Sequence, residues 1–170
     1  MHLDASNLEA TFAAGRCLGR LAQPGQCILL HGPLGAGKTH LARGIAEGAR
    51  VADLGLVSSP TYVFLNIYPA NPADPESKTV YHLDAYRAHG PEDLEALDLD
   101  ELLDTRPEPD RQPGGLVVIE WPERLAALLP TDRLEVFIEP LDENSRRLEF
   151  QATGIRSTEL LERYAKWATK

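Results

Sequence analysis

The apolar positions along the chain fall into stretches with two different spacings. Ser6-Asn7-Leu8-Glu9 has the order of a capping box, in which a hydroxyl and a carboxylate satisfy free amides at a helix start. Leu8, Phe12, Leu18 and Leu21 then mark one side of a helix ending near Gln23-Pro24-Gly25. Cys27-Ile28-Leu29-Leu30 is a short continuous apolar run, which predicts a buried parallel strand. A glycine-rich turn from Gly32 to Thr39 leads into a second helical stretch, Thr39 to Ala49, with Leu41, Ile45 and Ala49 at spacing four.

Further on, Tyr62 to Tyr68 and Thr79 to Asp84 read as strands. The proline-rich polar segment 69–78 between them reads as an exposed hairpin tip. Pro91 to Asp104 is acidic and helical in two short pieces, and Arg106 to Gly115 is a second exposed loop. Leu116-Val117-Val118-Ile119-Glu120 is another buried strand, ending in a carboxylate. Arg133 to Glu139 and Arg146 to Ala152 form a late hairpin around Asp142-Glu143-Asn144-Ser145, and a helix from Ser157 to Trp167 closes the chain. No repeat of period about 20–50 and no break in composition divides the 170 residues, so the expectation is one α/β domain.

Charge narrows the function. Lys and Arg total 17 against 26 Asp and Glu, a formal charge of −9. Grip on nucleic acid by neutralising phosphates needs a basic surface, as does docking on anionic lipid. No apolar run approaches the roughly 18–20 residues of a membrane span, and Met1-His2-Leu3-Asp4 lacks the opening of a signal peptide. Cys17 and Cys27 have no metal-ligand spacing and read as core thiols. A cytoplasmic protein is expected.

The chemistry starts at Gly32-Pro33-Leu34-Gly35-Ala36-Gly37-Lys38-Thr39, which fits G-x-x-x-x-G-K-[ST] at every fixed position. Glycines let successive amides turn inward around phosphates, and the helix N-terminus adds its dipole. Lys38 is placed to neutralise β- and γ-phosphates and the Thr39 hydroxyl to hold Mg²⁺. A buried strand precedes the loop and a helix follows it, which makes the expected fold a P-loop NTPase-like mixed sheet, mostly parallel with antiparallel strands, flanked by helices.

Leu116 to Glu120 has the form of a Walker B strand, whose terminal acid lies beside the phosphate loop and helps hold Mg²⁺. Trp121 follows it, either supporting that carboxylate, marking a partner surface, or packing half-buried. Asp84 ends its strand and either orients an attacking water, binds the hydration shell of the metal, or caps the following turn. His82 shares a strand face with Asp84, and with no visible partner it reads as structural. Ser58-Ser59-Pro60-Thr61 is either a γ-phosphate-sensing switch or a turn whose hydroxyls cap local amides.

Together, Gly32–Thr39, Ser59-Pro60-Thr61-Tyr62, His82-Leu83-Asp84-Ala85-Tyr86-Arg87 and Ile119-Glu120-Trp121-Pro122-Glu123 resemble the TsaE (YjeE) family in order and spacing. The match runs from the N-terminal capping box to the Arg146-Arg147 strand. The resemblance implies a slow Mg²⁺-dependent ATPase acting in threonylcarbamoylation of adenosine 37 of tRNAs that read A-starting codons. In that family the ATPase resets a complex of two partner subunits, TsaB and TsaD, between turnovers, and little direct contact with nucleic acid is implied. By position it implies nucleotide contacts from Thr11, Gly32, Leu34, Gly35, Ala36, Gly37, Lys38, Thr39 and Arg146 or Arg147. It implies a metal site at Thr39 and Glu120, and catalytic roles for Lys38, Asp84, Glu120 and Trp121. Pro33 stands where the family often has Asp, Tyr62 where it often has Phe, and the 69–78 loop looks longer than usual.

Two other classes compete. A small-molecule or nucleotide kinase needs an Arg-rich lid, and between the P-loop and Glu120 only Arg43, Arg50, Arg87, Arg106 and Arg111 are available. A nucleotide-gated adaptor would bind without appreciable turnover, which Asp84 and Glu120 argue against. No N-K-x-D element follows the loop, which disfavours a GTP switch.

Overall fold

The computed structural model describes residues 1–58, 60, 62–88, 115–125 and 128–169. The acidic stretch 92–104, the loop 106–114, and Ser59 and Thr61 lie outside the described residues. The elements run β1 (His2–Ala5), α1 (Leu8–Leu21), β2 (Cys27–His31), α2 (Lys38–Gly48), β3 (Leu65–Tyr68), β4 (Val80–Asp84), β5 (Leu116–Glu120), β6 (Leu134–Pro140), β7 (Arg146–Ala152) and α3 (Ile155–Ala168).

The strands form one 7-stranded sheet in the order β1-β7-β6-β2-β5-β4-β3. Its centre, β6-β2-β5-β4, is parallel, and the pairs at both edges, β1 with β7, β7 with β6 and β4 with β3, are antiparallel. The order reverses direction at β2, so the carboxyl end of β2 opens into a crevice between its neighbours β5 and β6, where ligands bind in open α/β sheets.

Strand alternation sorts the core into two faces. Ile28, Leu30, Leu116, Val118, Val136 and Phe150 face α1, α2 and α3, meeting Leu18, Leu41, Ile45, Leu160 and Tyr164. Cys27, Leu29, Leu83, Val117 and Ile119 face the other way, onto Leu125, Ala85 and Ala88. Each fully buried Leu or Ile here contributes about 1.5–3 kcal/mol. Both cysteines are buried and free, as core thiols should be, and burial pushes the Cys27 thiol up to about 12.

α1 and α2 pack with their backbones in near contact. Gly15 and Gly19 on α1 lie against the backbone of Leu41, Gly44 and Ile45, and Gly44 and Gly48 on α2 lie against Phe12 and Arg16. A methyl at any of the four would run into a carbonyl of the opposite helix. This close approach fixes the start of α2, and with it the phosphate loop, relative to the sheet.

Three sequence expectations change. The cap of α1 is Asn7 rather than Ser6: Asn7 Oδ1 accepts from the Ala10 amide at 2.8 Å, so the capping geometry is shifted by one residue. β1 is an added edge strand; its four residues are too few for periodicity to show, and it exists by pairing with β7. The strand expected from Tyr62 begins at Leu65, because the chain turns at Phe64, whose φ is 62° and whose amide bonds Pro60 O at 2.7 Å. The 69–78 loop joins the antiparallel strands β3 and β4, as expected of a hairpin tip, and is tied down by side-chain contacts. Arg50 pairs with Asp74 at 3.2 Å and Glu76 at 2.8 Å, and Lys78 Nζ donates to the Gly19 and Arg20 carbonyls at the end of α1, each at 2.9 Å.

Candidate active site

The phosphate loop joins β2 to α2. Gly32, Gly35 and Gly37 all take positive φ, at 146°, 78° and 105°, a conformation that L side chains rarely adopt. Gly37 is the N-cap of α2, with no side-chain cap and no acidic residue in the first turn. The positive end of the helix is therefore left for an anion. Ala36 is fully buried, while Leu34 at the loop tip is 76% exposed. Arg146, on β7, holds the loop from behind: its Nε donates to Ala36 O at 2.8 Å, and its Nη1 donates to Asp142 O at 3.0 Å and Ser145 O at 2.9 Å.

Lys38, the first residue of α2, folds back so that its Nζ donates to Gly32 O at 2.7 Å and Pro33 O at 2.9 Å. The same ammonium lies 3.6 Å from the centre of the Trp121 ring. Burial lowers the Lys38 pKa, and the carboxylates of Glu120, Asp84 and Glu123 partly restore it. Trp121 reaches this position because its backbone is left-handed, with φ 58°, immediately after β5 ends. Such a conformation costs a non-glycine residue about 1–2 kcal/mol, and here it turns the indole over the lysine. The Tyr86 ring also packs against the indole, tilted by 45° with centroids 5.0 Å apart.

The sheet brings the carboxylates together. In the parallel register of β4 and β5, Asp84 is the direct partner of Glu120, and both are 2% exposed. The two oxygens of Glu120 are divided between neighbours. Thr39 Oγ1 donates to Oε2 at 3.1 Å, and His82 Nε2 lies 2.9 Å from Oε1. Asp84 Oδ1 accepts the Tyr86 amide at 2.9 Å, so this residue does cap its turn and also stands beside Glu120.

Lys38, Thr39, Asp84, Glu120 and Trp121 are thus assembled at one sheet edge from three separate segments, the start of α2 and the ends of β4 and β5. Thr11 and Arg146 both make contacts within the protein. Thr11 is fully buried, with its hydroxyl 3.3 Å from Asn7 O on its own helix. Arg146 is engaged by loop and hairpin carbonyls, and Arg147 by Asp4 at 2.8 Å. His82, read from sequence as structural, is in the site through Glu120; the visible signal was its period-two spacing from Asp84. Among the arginines a kinase lid would need, Arg50 is committed to the 69–78 loop, and Arg87 lies over the Tyr62 ring at 4.2 Å.

Similarity to known proteins agrees with this geometry. The family profile described as "Threonylcarbamoyl adenosine biosynthesis protein TsaE" matches residues 5–148. The Bacillus subtilis tRNA threonylcarbamoyladenosine biosynthesis protein TsaE is 31% identical, covering 94% of this chain and 90% of the relative. The proteins of the same name from Streptomyces coelicolor and Mycobacterium tuberculosis are 35% and 38% identical, covering 91% and 86% of this chain and 92% and 83% of theirs. The crystal structure of Bacillus subtilis YdiB superposes with a TM-score of 0.74 at 25% identity, over 98% of this chain and 95% of that one. With the phosphate loop, the paired strand-end acids and the tryptophan in place, the chain belongs to the TsaE family of threonylcarbamoyl adenosine biosynthesis proteins.

Proposed function

We propose that this protein is a cytoplasmic, Mg²⁺-dependent ATPase that hydrolyses slowly and resets the TsaB–TsaD transferase complex between rounds of tRNA threonylcarbamoylation at adenosine 37. The observation that carries the ATPase part is the Thr39–Glu120 contact at 3.1 Å beside the uncapped start of α2. A buried carboxylate and a half-buried hydroxyl next to an anion-binding helix end offer the hard oxygen ligands that a divalent cation takes.

In this reading Lys38 leaves the Gly32 and Pro33 carbonyls for the β- and γ-phosphates. Thr39 and Glu120 would hold Mg²⁺, which would supply charge neutralisation at the phosphates. Asp84 orients the attacking water and takes up its proton. Arg146 keeps the loop in its phosphate-binding shape. Arg87 and Arg146 are already engaged, which supports slow turnover, because a free arginine at the transferring phosphoryl group is worth about 10³–10⁵ in rate. The net charge of −9 supports action through protein partners, with RNA contact left to them.

The test is reconstitution with the two partner subunits and unmodified tRNA. Omitting this protein, or replacing it with Lys38→Ala, should halt multiple rounds of modification and spare the first. Undiminished multiple turnover in its absence would overturn the resetting role.

A further inference from the structure

A buried hydrogen-bond chain leads away from Glu120 and out of the site. His82 is fully buried; beyond its contact with Glu120, its Nδ1 lies 3.4 Å from the Tyr68 hydroxyl. That hydroxyl is itself crowded with partners. It donates to Ser58 O at 2.9 Å, while Ser58 N and Asn66 Nδ2 approach it at 3.3 and 3.1 Å. Alternation places Tyr68 and Asn66 on β3, His82 on β4 and Glu120 on β5 along one face of three adjacent strands. The chain runs Thr39, Glu120, His82, Tyr68, Ser58, joining the first turn of α2 to the backbone two residues ahead of Pro60.

We propose that His82 is a positioning residue for Glu120, and that Tyr68 extends the same chain to the backbone at Ser58, so that the cation-holding carboxylate and the Ser58 backbone ahead of Pro60 are set together. This rests on the reading of Glu120 as a metal-holding group. With Oε1 held by His82, Oε2 is the oxygen left to face Thr39 and the phosphate loop. In the tautomer that donates from Nε2 to Glu120, Nδ1 is an acceptor. The single Tyr68 proton then has two acceptors, Ser58 O and His82 Nδ1. A shift of the His82 ring that follows Glu120 changes which of the two the hydroxyl serves, and the Ser58 carbonyl feels the change. A group serving only to fill the core would need none of these polar links, each of which must be satisfied to offset its burial.

The test is a double-mutant cycle read by amide exchange at Val63 and Phe64, whose amides bond Pro60 O. In the nucleotide-free protein, Glu120→Ala should speed exchange at these two amides by about fivefold, and in a Tyr68→Phe background by less than about twofold. Tyr68→Phe keeps the ring in the core, and a cooperative thermal melt verifies its fold. Additive effects of the two substitutions would overturn the proposal, as would no effect of Glu120→Ala. Metal dependence supplies the second readout. His82→Leu should raise the half-saturating Mg²⁺ for ATP binding by about tenfold. His82→Gln, which keeps an amide donor toward Glu120, should restore it; an unchanged Mg²⁺ requirement in His82→Leu would overturn the positioning role. If the wild-type protein bound no ATP, the ATPase reading would fall, while the nucleotide-free cycle would still decide the relay.

Discussion

The ammonium of Lys38 rests 3.6 Å from the centre of the Trp121 ring, across a gap of more than eighty positions in sequence. A cation over an indole face is stabilised by about 0.5–2 kcal/mol, so Lys38 is held in a resting position that the proposed phosphate-binding role requires it to leave. Trp121 therefore reports on the loop. The chain has two tryptophans, and Trp167 packs against Tyr164 on α3, so Trp167→Phe leaves Trp121 as the sole indole. Adding Mg²⁺ and ATP to that variant should change its emission, and the change should vanish when Lys38→Ala is added. Constant emission at nucleotide saturation, with saturation verified by calorimetry, would show that Lys38 does not move.

Glu120→Gln preserves the size of the side chain and its capacity to bond Thr39 and His82, and removes the charge. At saturating Mg²⁺, hydrolysis should fall about 10²-fold while ATP affinity stays within about threefold, because the lost charge stabilises the transition state more than the ground state. Single-turnover rates alongside calorimetry measure both quantities. Wild-type hydrolysis in this variant would remove Glu120 from the metal site.

Gly19→Ala and Gly48→Ala probe the contact between α1 and α2. Helix propensity alone would stabilise each variant by about 0.5–1 kcal/mol. The methyl instead meets an opposing backbone carbonyl that cannot swing aside, so each should destabilise by about 2–3 kcal/mol. Chemical denaturation decides the sign, and a stabilised variant would show that the helices are not held this close.

Asp132 caps α3 from outside the helix, accepting the Arg156 and Ser157 amides at 2.8 and 3.0 Å. Burial alone would raise its pKa, but bonds from the Ser157 side chain and from the two amides outweigh that, and the folded value is lowered. A carboxyl with a lowered folded pKa stabilises the fold above its unfolded value of about 3.9 and loses that contribution as pH falls through the folded value. Asp132→Asn should therefore cost about 1 kcal/mol at neutral pH and progressively less in acid. Melting temperatures across that range test it; a pH-independent difference would place the effect elsewhere.

Local chemistry wrote several features directly into the chain. The phosphate loop is legible because its glycines, lysine and threonine are consecutive and each is required by backbone conformation or by charge. The buried strands at Cys27 and Leu116 show as unbroken apolar runs because both of their faces are covered. The close packing of α1 on α2 was also present as glycines four apart in each helix, although their pairing was not.

Tertiary structure alone decided which distant groups meet. β1 is a strand only because β7 offers it an edge, and Tyr62 and Val63 leave the strand pattern because the backbone turns at Phe64. Arg146 shows no partner in the sequence, and in space its Nε bonds the Ala36 carbonyl of the phosphate loop, 110 residues earlier. His82 carried no visible partner because Glu120 lies thirty-eight residues further on and reaches it only through the pairing of β4 with β5. Periodicity tells which face of a strand a side chain takes, but strand order and register decide what faces it, and those depend on contacts between residues far apart in the chain.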